Sequence, residues 1–170
     1  MVLHGTFALA VEIDARPDDV HAALVQGERR RRWLRLPGKA EPAPGSDSGL
    51  DYAVGVSETL RSSLMIGDAR QYVERRTHVL DVVPDRRLVL SYRAVVDDVC
   101  RWVSLVTIEV EPADLAPGTG ARLTWTEQYT FLEVSDDGKD DVAHLRGGTR
   151  LQLNGLAAAL GAVGRPAVEL

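Results

Sequence analysis

The stretch from residue 69 to residue 96 leaves this chain little choice of fold. "ARQYVERRTHVLDVV" and "RLVLSYRAV" flank the tripeptide "PDR", and their strand-like patterning places successive side chains on opposite faces of an extended chain. Pro84 fixes its own φ and offers no N–H to a ladder, so the two runs are expected to fold back on each other as a long antiparallel hairpin. "RWVSLVTIEVE" adds a further strand, "PADLAPGTG" turns the chain, and "ARLTWTEQYTFLEV" returns beside it. A sheet built this way is apolar on one face, and that face has to be covered.

Both ends of the chain offer cover. Residues 6 to 13 alternate Phe7, Leu9, Val11 and Ile13 with smaller or charged residues and read as a strand closed by Asp14. Pro17 suits a first helical position, and Asp18 and Asp19 complement the unpaired N–H groups of the helix it starts. Val20, Ala23 and Leu24 form the apolar side of that helix, and Gly27 offers its stop. A second short helix is expected from Glu28 to about Leu34, anchored by Trp33. Within it "ERRRRW" points its arginines in several directions, which reads as a solvated face rather than a phosphate-binding stripe. Residues 37 to 49, with three prolines and three glycines, read as a loop, and short strands are expected around Tyr52–Val56 and Leu60–Ile66. After the polar connection "SDDGKDD", a long helix from Val142 to about Val163 presents Leu145, Thr149, Leu153, Leu156, Leu160 and Val163 as its apolar stripe. Its glycines weaken intrinsic propensity, so this helix depends on tertiary packing.

The 170 residues suffice for one hydrophobic core and predict a single domain over 1–170. An apolar fraction of 45% with 26% charged residues is that of an ordinary globule, and no segment has the length and hydropathy of a membrane span. The start of the chain lacks a basic region ahead of its apolar residues, which predicts a cytoplasmic protein without a signal peptide. A net charge of −5 disfavours nucleic acid as a partner. Cys100 is the single cysteine and is expected to be a buried small hydrophobe, so neither a disulfide nor a cysteine-based metal site is available. No dinucleotide, phosphate-loop or zinc signature is present, so no cofactor or metal is expected.

The order of elements predicts an α+β fold, a curved antiparallel sheet wrapped around a long C-terminal helix, with two short helices between the first two strands. Four segments carry a resemblance in that order: "VEIDARPDDVHAALVQGERRRRWL", "HVLDVVPDRRLVLSY", "VTIEVEP" with "GTGARLTWTEQYTFLE", and "GGTRLQLNGLAAAL". Together they resemble the helix-grip (START-like, SRPBCC) superfamily. More narrowly, they are similar to the bacterial family named after the C-terminal domain of the activator of the ninety-kilodalton heat-shock protein's ATPase. The resemblance implies a cavity between sheet and helix, and functions that range over small-ligand binding, cyclisation and co-chaperone activity. The segment "LDYAVGVSETLRSSLMIGDARQYV" departs from the family's usual form and would shape the cavity mouth, so the identity of a ligand does not carry over.

Alternation nominates the residues that would face such a cavity. Leu88, Leu90 and Tyr92 share a face, as do Trp102, Ser104, Val106, Ile108 and Val110, and as do Leu123, Trp125, Glu127, Tyr129 and Phe131. Tyr92, Trp102, Trp125, Glu127 and Tyr129 are therefore the candidate ligand-binding residues. A carboxylate among aromatic rings has three readings: an acid or base, a polar contact that orients an otherwise hydrophobic ligand, or half of a salt bridge with Arg93 or Arg101. His21 and His144 are expected at the surface, and His78 is expected to be a sheet residue without a catalytic role. No nucleophile and base stand at a diagnostic spacing, so the catalytic residues, if any, are open. Three functions follow in order: binding of a small hydrophobic or aromatic molecule, a cyclase- or aromatase-like cavity enzyme, and a co-chaperone-like interaction module. A homodimer through an outer face or edge strand is compatible with each.

Overall fold

The computed structural model describes residues 1–43, 49–114, 120–161 and 168–170. Its sheet carries eight antiparallel strands in the order β2-β3-β4-β5-β6-β7-β1-β8. These are β1 (Leu3–Ile13), β2 (Lys39–Glu41), β3 (Ser57–Ile66), β4 (Ala69–Val83), β5 (Arg87–Val96), β6 (Val99–Ala113), β7 (Gly120–Phe131) and β8 (Val168–Glu169). Two short helices, α1 (Pro17–Val25) and α2 (Gly27–Arg30), lie between β1 and β2, and α3 (Lys139–Ala159) follows β7. The curved sheet grips α3, which is the helix-grip architecture.

The hairpin about Pro84 joins β4 to β5, with Asp85 in the left-handed region at φ 58°. A bulge between Val79 and Asp81 leaves Leu80 exposed and restores the alternation beyond it. β1 closes against β7 from Leu3↔Phe131 to Ile13↔Ala121, so the first and last long strands are neighbours. Tyr129 lies across β1 at Gly5, where a Cβ would come within 2.5 Å of the tyrosine hydroxyl. The inner face is formed by Leu9, Val11, Leu88, Val106, Ile108 and Leu123, all buried, and α3 covers it with Leu145, Leu153 and Leu156. Truncating a side chain such as Leu153 would cost about 2–5 kcal/mol.

Several expectations need correction. Gly27 does not end α1, whose cap is Gln26; it begins α2, and a Cβ there would stand 1.9 Å from the Gly49 carbonyl oxygen. Helix α2 is a single turn, and residues 31–33 continue as a turn that still places Trp33 in the core. Residues 52–56 are not a strand: Gly55 has φ 88°, and the chain turns there before β3. Inside the expected loop of residues 37–49, Lys39–Glu41 pairs with β3 as a short edge strand. Helix α3 starts three residues before Val142, and Val163 lies outside the described residues, as does most of the turn "PADLAPGTG". β8, too short to announce itself by alternation, pairs with Leu9 and Ala10 of β1.

Candidate functional site

Alternation along β7 carries Trp125, Glu127 and Tyr129 inward, and β1, β6 and α3 then enclose them. Glu127 is 0% exposed. A carboxylate so placed has to be hydrogen-bonded, and its donors are neutral. The Tyr92 hydroxyl donates to Oε1 at 2.5 Å, the Trp125 indole donates to Oε2 at 2.9 Å, and the Thr149 hydroxyl of α3 lies 3.4 Å from Oε2. The Trp102 indole donates in turn to the Tyr92 hydroxyl at 3.3 Å. Neither arginine considered as a salt-bridge partner takes part: Arg101 pairs with Glu133 at 3.8 Å, and Arg93 is exposed on the outer face. Burial, reinforced by the negative charge of Glu127, pushes the Tyr92 phenol above its ordinary range and keeps it a donor.

Tyr92, Trp102, Trp125 and Glu127 thus form one connected cluster, while Tyr129 packs beside it against Phe7 and Phe131. A residue not singled out from sequence joins them. Arg75 of β4, 6% exposed, lays its guanidinium 4.1 Å from the centroid of the Tyr92 ring. Its Nη1 donates to Gln152 of α3 at 3.4 Å, and its buried Nε has no acceptor among the described residues.

Space around the cluster is uneven. Deep in the interior, between Trp33, Tyr52, Arg75, Leu90 and Trp125, a void of about 10 Å³ remains. At the start of α3 a cleft of about 350 Å³ is lined by Val96, Arg101, Trp102, Phe131, Ser135 and Asp141, among others. A much larger concavity, about 1170 Å³, lies on the face of the sheet away from α3, where Ser57, His78, Arg93, Val103, Leu105 and Gln128 line it. There the Ser57 hydroxyl meets His78 Nδ1 at 2.9 Å as a cross-strand pair.

A second buried polar cluster stands beside the first, across the small void that Tyr52 and Arg75 both line. Arg30, 2% exposed, donates through Nη2 and Nε to Glu58 at 2.9 and 3.3 Å and caps the Leu24, Val25 and Leu50 carbonyls. Its guanidinium sits 3.4 Å from the centroid of the Tyr52 ring, and the Tyr52 hydroxyl also donates to Glu58 at 2.7 Å. Burial opposes the Glu58 charge, yet the bonds from Arg30 and Tyr52 outweigh it and hold the carboxyl below its usual range. The reading of "ERRRRW" as a wholly solvated face therefore fails at Arg30, although Arg31 and Arg32 are exposed.

His21 is also corrected: it is 6% exposed, on the buried side of α1, with Nδ1 3.8 Å from Asp85 and Nε2 without a partner among the described residues. Burial lowers its pKa despite the opposing pull of Asp85. His144 is at the surface as expected, and Cys100 is half-buried rather than buried. No helix among the described residues is long and apolar enough to cross a membrane.

The chain is similar to known proteins along most of its length. Residues 4–161 match the model of the family described as polyketide cyclase / dehydrase and lipid transport. No curated protein matches the chain significantly. Among solved structures, a Rhizobium loti protein is 32% identical over 94% of this chain and 99% of its own, with a TM-score of 0.70. An uncharacterized protein from Rhizobium leguminosarum is 27% identical over 95% and 97%, with a TM-score of 0.72. The AHSA1 protein from Silicibacter pomeroyi, at 22% identity over 92% and 98% with a TM-score of 0.61, shares the fold.

Proposed function

Because the chain belongs to the polyketide cyclase / dehydrase and lipid transport family, we propose that it binds a small hydrophobic or aromatic molecule between the inner face of the sheet and α3. One observation carries this reading: the hydrogen-bonded series Trp102, Tyr92, Glu127, Trp125 runs under α3, and its outermost member lines the cleft at the start of that helix. The cleft volume of about 350 Å³ falls in the range of about 300–1,000 Å³ that small-molecule sites occupy. The 10 Å³ void behind it is too small for more than a water. The ligand body therefore belongs over Trp102 and Phe131, with the Tyr92, Glu127 and Trp125 series behind Trp102 and Tyr129 against Phe131 holding those two rings in place. The four resembling segments, and the shared fold of the AHSA1 protein, support a narrower kinship with the bacterial heat-shock-ATPase-activator homologues.

Native mass spectrometry of freshly purified protein tests the proposal: a noncovalent small-molecule adduct that vanishes on denaturation is expected. Trp102→Ala should weaken binding of the fluorescent apolar probe N-phenylnaphthylamine by about tenfold or more, since it removes the largest aromatic contact in the cleft. Probe binding unaffected by Trp102→Ala would place the ligand elsewhere.

The direct Tyr92 to Glu127 bond favours a second reading, a cyclase- or aromatase-like enzyme in which Glu127 takes a proton through Tyr92. Its test is product formation from a poly-β-keto thioester, lost in Tyr92→Phe while probe binding persists.

A further inference from the structure

Two arginines are buried inside this fold, and the chain treats them differently. Arg30 has a carboxylate, three carbonyls and an aromatic face, so its charge and its donors are matched. Arg75 has the aromatic face of Tyr92 and one long bond to Gln152, with Nε buried and without an acceptor. Among the described residues no carboxylate lies within 4 Å of it. A guanidinium out of water at such a site costs several kcal/mol unless an anion or a full set of acceptors offsets it. Glu127 does not fill that role, because it makes no direct pair with Arg75 and is bonded instead to Tyr92 and Trp125.

Sheet register shows where an acceptor could reach Arg75. Across β4 to β7 the paired row reads Arg75, Ala94, Trp102, Phe131. Trp102 and Phe131 line the cleft, and the residue between them and Arg75 is an alanine, whose methyl group stands little above the sheet. α3 meets the sheet through two polar contacts, Gln152 to Arg75 in this row and Thr149 to Glu127 four residues before Phe131 on β7, both 3.4 Å and thus at the weak end of hydrogen bonding.

Resting on the binding reading above, we propose that the ligand is a hydrophobic carboxylic acid, its apolar body over Trp102 and Phe131 and its carboxylate passing Ala94 to pair with Arg75. The guanidinium fork matches a carboxylate with two parallel bonds, and charge-assisted bonds of this kind are about twice as strong as neutral ones. Gln152 is the contact the acid displaces. Arg101, the cation that lines the cleft itself, is partly exposed and paired with Glu133, so it contributes little selectivity.

The test compares dodecanoate with dodecanol, and naphthoate with naphthalenemethanol, by calorimetry on the wild-type protein at neutral pH. Each acid is expected to bind at least tenfold more tightly than its alcohol. Arg75→Gln should abolish that preference while alcohol binding persists, and Arg101→Gln should leave the preference intact. Equal binding of acid and alcohol to the wild type overturns the carboxylate assignment and leaves the cavity reading standing. Binding of neither overturns both. The wild-type comparison decides the matter even if Arg75→Gln fails to fold.

Discussion

Glu58 and Glu127 are both buried carboxylates bonded to a tyrosine, and they differ in what else holds them. Glu58 has a cation, Arg30, whose remaining donors tie the end of α1 and Leu50 to the sheet. Among the described residues Glu127 has neutral donors, and the cation beside its cluster, Arg75, stacks on the Tyr92 ring instead of pairing with it. The first cluster is complete in itself and acts as a fastening. The second is satisfied at Glu127 and, among the described residues, unsatisfied at the Arg75 Nε, and it adjoins a cleft.

That contrast has measurable consequences, the largest at Arg30. Arg30→Met strips the paired cation from buried Glu58 and should cost about 3–5 kcal/mol in urea unfolding. A cost below about 1 kcal/mol would mean that the pair is not the fastening described. Glu127→Gln keeps the shape and one acceptor but turns an amide N–H₂ toward a donor, so it should cost less, about 1–3 kcal/mol. An effect as large as that of Arg30→Met would erase the distinction between the two clusters.

The pH dependence should differ as well. The folded-state pKa of Glu58 is depressed, so its contribution is present above the unfolded value of about 4.3 and is lost as pH falls through the folded one. Urea stability measured from pH 6 down to pH 3 should therefore fall less steeply in Glu58→Gln than in the wild type; parallel curves would contradict the assignment. The smallest effect belongs to His21. Its folded pKa is also depressed, so its contribution is complete above about pH 6.5 and declines as pH falls below that. His21→Gln should flatten the stability profile between about pH 6.5 and 5, detectably but slightly.

Much of this was legible in the chain. The hairpin about Pro84 and the inward rows of β5, β6 and β7 follow from period-two alternation alone, and that pattern placed Glu127 among its aromatic neighbours. Arg75 was within reach of the same argument, since it stands two and four residues before Thr77 and Val79, both buried. Charged flanks in "VERRTHV" hid it, because arginine is so seldom buried that its phase was not followed. Arg30 was hidden among four consecutive arginines, of which only tertiary packing against Glu58 selects one. The turn at Gly55 and the strand at Lys39–Glu41 depend on pairing with a distant partner, which no local pattern reports. How tightly α3 closes on the sheet is a matter of packing volume, and alternation is silent on it.

The account turns on the ligand lying between sheet and helix rather than in the larger groove outside. The measurement that tests this most directly is a crystal structure of the protein grown with dodecanoate. The prediction is density for the chain over Trp102 and Phe131, with its carboxylate against Arg75 and Gln152 displaced. Density in the outer groove beside His78 and Leu105, with Arg75 still bonded only to Gln152, would contradict it.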